Sequence, residues 1–178
     1  AFRASYGSGK PVIGILAEYD ALTGLSQVAG QQSREELVSN GNGHGCGHNL
    51  LGAGSMAAAF AIKHYLEEKG EGSGKVILYG CPGEEGAATK AFMARDGVFK
   101  ECDAALTWHP GTENQVTSGT CNTCIQTEYK FTGVASHAAG APEQGRSALD
   151  AVELMNIGVQ FLREHMPDTA RIHYSITD

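Results

Sequence analysis

Residues 43–49, Gly-His-Gly-Cys-Gly-His-Asn, stand directly ahead of a long run of helix-forming residues. No other stretch narrows the possible folds as much. Glycine imposes little backbone restriction, so Cys46 and His48 can both turn towards one point. The helix that follows is expected over Asn49–Lys69. Its apolar positions Leu50, Ala57, Ala58, Ala61, Ile62, Tyr65 and Leu66 recur at threes and fours, with Asn49 as N-cap and Lys69-Gly70 as the stop. The partial positive charge at a helix N-terminus favours a thiolate at Cys46, and thiolate is the form that binds metals.

Short apolar runs flank this helix. Pro11–Ala17 (PVIGILA), Lys75–Gly80 (KVILYG) and Asp103–Trp108 (DAALTW) are nearly continuously apolar and end in polar, Gly or Pro residues. Buried parallel strands read this way. A second helix is expected from about Gly86 to Arg95. Strand, helix, strand, helix, strand implies a parallel α/β sheet.

After Gly119 the pattern changes. Ile125–Phe131 and Arg171–Thr177 alternate apolar and polar residues, as half-exposed strands do. Between them an amphipathic helix is expected over Ser147–His165, with Ser147 and Asp150 resembling a capping box and Pro167 ending it. The expected organisation is therefore an α/β domain over residues 1–122 and the start of an α+β domain over residues 123–178.

Three strand ends carry chemistry. Glu18 and Asp20 follow the first strand, Glu84 and Glu85 the second, and His109 the third. Ligands bind at the carboxyl ends of strands in open parallel sheets. With Cys46 and His48 on the intervening crossover, these residues form a candidate metal constellation. The mix of Cys, His and Glu suits a mononuclear or binuclear hydrolase site, not a closed structural zinc site. Two other readings stand beside it: a plain Gly-rich turn, and Cys46 as a nucleophile with His48 as its base. Cys121-Asn-Thr-Cys124 is a single CxxC pair and carries little weight alone. Cys81 and Cys102 read as small buried apolar residues.

A net charge of −7 and 13 basic residues in 178 argue against nucleic-acid or anionic-membrane partners. No apolar run approaches the roughly 18–20 residues of a membrane span. Five cysteines without a framework of spacings suggest reduced thiols and a cytoplasmic setting. The opening AFRASYGSGK has neither a starting Met nor the apolar core of a signal peptide.

In order, GHGCGHN, CPGEEG, WHP and GVASHAAGAP resemble the co-catalytic metallopeptidases of the M20 family. The likeness is to their amidohydrolase branch, which includes aminoacylases, auxin-conjugate hydrolases and aminobenzoyl-glutamate hydrolases. It extends over almost the whole chain, including EYDALTGLSQ and GRSALDAVELMNIGVQFLREHMP. The resemblance implies a zinc-peptidase-like catalytic domain followed by a lid and dimerisation domain. It makes Cys46, His48, Glu85 and His109 metal ligands and Glu84 the general base that activates a metal-bound water. Asp20 supports the site from behind, and His137 of the SHAA motif stabilises the oxyanion.

The implied cofactor is a divalent metal, Mn2+ or Zn2+, two ions in the complete enzyme. The implied reaction is hydrolysis of an amide bond to an amino acid, p-aminobenzoyl-glutamate giving p-aminobenzoate and glutamate. Other N-acyl amino acids or dipeptides fit the same motifs, and a non-catalytic dimerising chain is a further alternative. A homodimer, or a heteromer with a related chain through the lid, is the implied assembly. Asn49 stands where many relatives have Asp. The family's last ligand His and its N-terminal helices have no counterpart here. The expectation is a fragment truncated within the lid and inactive alone.

Overall fold

The computed structural model describes residues 1–177. The chain divides into two compact units, Ala1–Asn114 and Gln115 onward. In the first unit four strands form one sheet: β1 (Phe2–Gly9), β2 (Val12–Glu18), β3 (Ser73–Cys81) and β4 (Ala104–Leu106), in the order β1-β3-β2-β4. β2 runs parallel to β3, with Val12 opposite Lys75 and Glu18 opposite Cys81, and parallel to β4. These are the three expected strands; β2 and β3 are largely buried as expected, whereas all three residues of β4 are exposed.

β1 corrects the all-parallel expectation. It lies antiparallel on β3, with Phe2 opposite Gly80, so the sheet is mixed. Its residues are all exposed, and Ser and Gly break its alternation. The strand is held by backbone pairing at an edge, which leaves little hydrophobic signal in the sequence.

Both faces of the central pair, β2 and β3, are covered. One carries Val12, Leu16, Ile77, Tyr79 and Cys81 against Met93, Val98, Phe99 and Cys102. The other carries Ile15 and Val76 against α1 (His48–Lys69), through Leu66, Ala59 and Ile62. Leu51 and Leu66 of α1 are buried, and each such side chain contributes about 1.5–3 kcal/mol. The Ser55 hydroxyl donates to the Leu16 carbonyl (3.1 Å), fastening α1 to the middle of β2. β4 is laid on β2 at its start. There the Val12 N–H donates to the Asp103 carboxylate (2.7 Å) and the Asp103 N–H to the Val12 carbonyl (2.8 Å).

Two helix boundaries differ from expectation. The N-cap of α1 is Gly47, not Asn49, and His48 is the first helical residue. Gly47 turns the chain at φ 78°, and a Cβ there would stand 2.9 Å from Pro110 Cγ, so glycine is required on both counts. The expected Gly86–Arg95 helix is two pieces, α2 (Glu84–Ala87) and α3 (Thr89–Arg95), broken at Ala88 with φ 46°. The left-handed region costs a non-glycine residue about 1–2 kcal/mol. The Thr89 hydroxyl, bonded to the Pro82 carbonyl, helps hold the break.

The second unit is built on α4 (Ala148–Leu162), extended by a 3-10 turn at Arg163–His165. The Ser147 hydroxyl accepts the Asp150 N–H (3.0 Å), as the capping signal predicts. Val134 and Arg146 exchange two backbone hydrogen bonds. The expected strands over Ile125–Phe131 and Arg171–Thr177 do not form. Their alternation is real, but among the described residues neither finds a neighbouring backbone to pair with. Arg171–Thr177 is tied instead by Arg163 to the Ile172 carbonyl (2.7 Å) and by Gln160 to the Tyr174 hydroxyl (3.1 Å). Asp178 lies outside the described residues.

Candidate metal centre

The ends of β2, β3 and β4 deliver Glu18 and Asp20, Glu84 and Glu85, and His109 to one place, and the N-terminus of α1 adds His48. Glu84 and Glu85 occupy the first turn of α2, where the helix end favours negative charge. His109 follows Trp108, whose indole rests against Gly54 of α1. A Cβ at Gly54 would lie 2.8 Å from Trp108 Cζ2. Trp108 on Gly54 and Pro110 on Gly47 therefore seat His109 from both sides.

His48 is almost wholly buried, 1% exposed, among four carboxylates. Its Nδ1 meets Asp20 Oδ1 at 3.1 Å. On the other side, Nε2 faces Glu18 Oε2 at 3.2 Å, Glu85 Oε1 at 3.7 Å and Glu84 Oε2 at 4.0 Å. Desolvation works to raise the Asp20 pKa. The backbone N–H groups of Glu85, Glu84 and Asp20, followed by His48, outweigh it and hold the carboxyl below its ordinary value. The Glu85 N–H to Asp20 bond is 3.0 Å. Asp20 thus engages Nδ1, while Nε2 has no hydrogen-bond partner.

His109 repeats this arrangement. Its Nδ1 donates to the Pro110 carbonyl (2.9 Å), and its Nε2 lies 3.3 Å from Cys46 Sγ. The two rings stand edge to face, with centroids 5.8 Å apart. Metal-binding imidazoles characteristically donate their remote N–H to a carboxylate or backbone carbonyl, and both rings do so here.

The residues fit a divalent cation. His48 Nε2 and Glu85 Oε1 are buried without a hydrogen-bond partner. An orphaned pair of this kind is costly unless something else satisfies it. Two groups have ligand atoms mutually within 4.8 Å: Cys46, His48 and His109, and Glu18, His48 and Glu84. Ligands at the usual distances around a tetrahedral zinc stand roughly 3.3–3.6 Å apart. The Cys46–His109 and His48–Glu18 separations of 3.3 and 3.2 Å are close to that spacing. Thiol, imidazole and carboxylate donors together admit either zinc or manganese.

Cys46 departs from the thiolate expectation. Its pKa is pushed up to about 11, first by a hydrogen bond to Glu85, then by burial and by the charges of Glu85, Glu84 and Glu18. The carboxylates outweigh the helix terminus. The expected pairing of Cys46 with His48 as nucleophile and base is also absent, because His109 is the imidazole beside the sulfur.

Among the sequence candidates, Cys46, His48, Glu84, Glu85, His109 and Asp20 come together. His137 belongs to the second unit, where its Nδ1 accepts the N–H groups of Ala139 (3.2 Å) and Gly140 (3.0 Å). Cys121 and Cys124 are exposed in that unit, and all five cysteines are free. Lys90 of α3, ion-paired to Glu18, was not legible in the sequence, since no motif marks it. No described helix is long and apolar enough to cross a membrane.

Known proteins place this centre in context. The chain is 55% identical over 182 residues to the B subunit of p-aminobenzoyl-glutamate hydrolase of Escherichia coli (strain K12), covering 100% of this chain and 37% of that protein. It is 33% identical over 181 residues to Xaa-Arg dipeptidase of Mus musculus, covering 97% and 38%. It is 29% identical over 181 residues to the A subunit of the same Escherichia coli (strain K12) hydrolase, covering 96% and 40%. The chain thus spans less than half the length of the curated relatives it matches. The family model described as Peptidase family M20/M25/M40 matches residues 14–174, from β2 into the second unit and across every residue of the centre, and the chain belongs to that family.

Proposed function

We propose that the protein is a metal-dependent amidohydrolase that cleaves p-aminobenzoyl-glutamate to p-aminobenzoate and glutamate. The observation that carries the metal reading is the pair of imidazoles His48 and His109, each with Nδ1 engaged and Nε2 turned towards thiol or carboxylate donors. The substrate follows from 55% identity to a protein of that name. The related Xaa-Arg dipeptidase makes a dipeptide the second substrate class to test.

In this reading Cys46, His48, Glu85 and His109 hold the metal, Mn2+ or Zn2+, and Asp20 fixes His48. Bound there, a divalent cation supplies Lewis acidity towards a carbonyl oxygen and makes water more acidic. Glu84 is the general base. Its side chain is 38% exposed, open to a substrate, yet within 4.0 Å of His48 Nε2. It takes a proton from the attacking water and delivers it to the leaving amine nitrogen. His137 has the oxyanion role by resemblance. Residues 1–122 belong to the catalytic domain in this scheme and residues 123–178 to the lid. Two of the relatives are the A and B subunits of one hydrolase, so a second chain of the same family is the proposed partner.

The test is metal content and p-aminobenzoate release by the full-length protein, alone and with a related chain of the family, for wild type and Glu84→Ala. Retained metal with turnover reduced about 10²–10⁴-fold supports the scheme. A protein that takes up no metal, or whose activity survives chelation, overturns it.

A further inference from the structure

Glu18 has no part in that scheme, yet it is the carboxylate nearest to the free nitrogen of His48. It ends β2, is 7% exposed, and holds Oε2 3.2 Å from His48 Nε2. Glu85 and Glu84 are farther from that atom. The contact is no hydrogen bond, because Nε2 is without a partner. A carboxylate oxygen and an unpartnered imidazole nitrogen thus face each other in a buried place. A cation between them supplies the partner that Nε2 lacks. Lys90 Nζ pairs with the other oxygen, Oε1, which leaves Oε2 directed at the imidazole. A buried carboxylate with one oxygen anchored and the other aimed at an orphaned imidazole has the arrangement of a ligand.

We propose that Glu18 is a further ligand of the bound cation, donating Oε2 beside His48 Nε2 while Lys90 anchors Oε1. The inference rests on the metal-dependent reading and adds a donor that it does not contain.

The experiment uses the full-length protein. Apparent affinities for Zn2+ and Mn2+ are measured by competition with a chromophoric chelator, and visible absorption is recorded with Co2+ in place of the native ion. The proteins compared are wild type, His48→Ala, Glu18→Gln and Glu18→Asp. Gln keeps the length and removes the charge, whereas Asp keeps the charge and withdraws the oxygen. Both Glu18 variants are expected to bind about 10–100-fold more weakly and to alter the Co2+ bands. Either variant alone carries the test if the other fails to fold.

If wild type and His48→Ala differ but both Glu18 variants match wild type in affinity and spectrum, Glu18 is not a ligand. If Gln weakens binding while Asp does not, and the bands stay unchanged, charge alone acts and the assignment is overturned. If wild type itself takes no metal, the underlying reading has failed, a result distinct from the other two.

Discussion

The indole of Trp108 lies directly on the Cα of Gly54, close enough that a single added methyl would meet its ring at 2.8 Å. Trp108 is the residue before His109 and the only tryptophan in the chain. Helix α1 thus sets the position of an imidazole on a different strand end.

Gly54→Ala is expected to displace the indole and shift His109 with it. Overpacking of this kind costs about 1–3 kcal/mol. Trp108 fluorescence should change in the metal-free protein, and metal affinity should fall. Unchanged emission with unchanged affinity would show that the contact does not hold His109.

Asp20→Asn removes the carboxylate that engages His48 Nδ1. Metal affinity should drop about 10–100-fold, as for other partners of ligating histidines. The substituted amide still offers the Glu85 N–H an oxygen acceptor, so the start of α2 should persist. Titration with a competing chelator measures the first effect, and amide exchange at Glu85 the second.

The raised pKa of Cys46 has a definite sign. In the metal-free protein the thiol form prevails until pH approaches about 11. The folded state holds this proton more tightly than the unfolded state. The resulting stability is fully present below the ordinary thiol value and is lost as pH rises from there through about 11. At pH 8 iodoacetamide should label exposed Cys121 and Cys124 well before Cys46, as read by peptide mass spectrometry. Early labelling of Cys46 would mean that the carboxylates do not restrain it.

Lys90→Met strips a buried carboxylate of its counter-ion. With Lys90 still partly solvated, the expected cost is about 1–3 kcal/mol, below that of breaking a fully buried pair. A divalent cation supplies replacement positive charge, so the Tm deficit should shrink when Mn2+ or Zn2+ is added beyond the gain seen in wild type. Equal shifts in both proteins would mean that Lys90 and the cation do not share Glu18.

The centre was legible because its residues come in short motifs at strand ends. Cys46 and His48 sit among glycines, Glu84 and Glu85 follow KVILYG, and His109 follows DAALTW. Sequence pattern revealed β2 and β3, which bury apolar side chains, and α4, which carries the Ser147 cap. It found α1 but not its buried face, since Leu50, Ala57, Ala58, Ala61 and Tyr65 are exposed and Leu51 and Ser55 are buried, and it found β4 although all three of its residues are exposed. It did not reveal β1, whose exposed residues are held by backbone pairing with β3. It misread Ile125–Phe131, since alternation shows which residues suit a strand but supplies no neighbour. Lys90 and the Trp108–Gly54 contact depend on distant segments meeting, and the thiol state of Cys46 depends on three carboxylates that only the fold assembles.

The donors of this centre are strung far apart along the chain. Cys46 and His109 are 63 positions apart, Asp20 and Glu85 65, and Glu18 and Lys90 72. An unfolded chain can offer a cation little more than the local Cys and His of residues 43–49, because bringing in the others means closing several large loops. A cation that recognises the whole set therefore binds the finished topology and almost nothing before it. By mass action its affinity becomes conformational stability. On the proposed metal-dependent reading, metal supply then adds to the stability of the folded protein, quite apart from whether it turns over substrate.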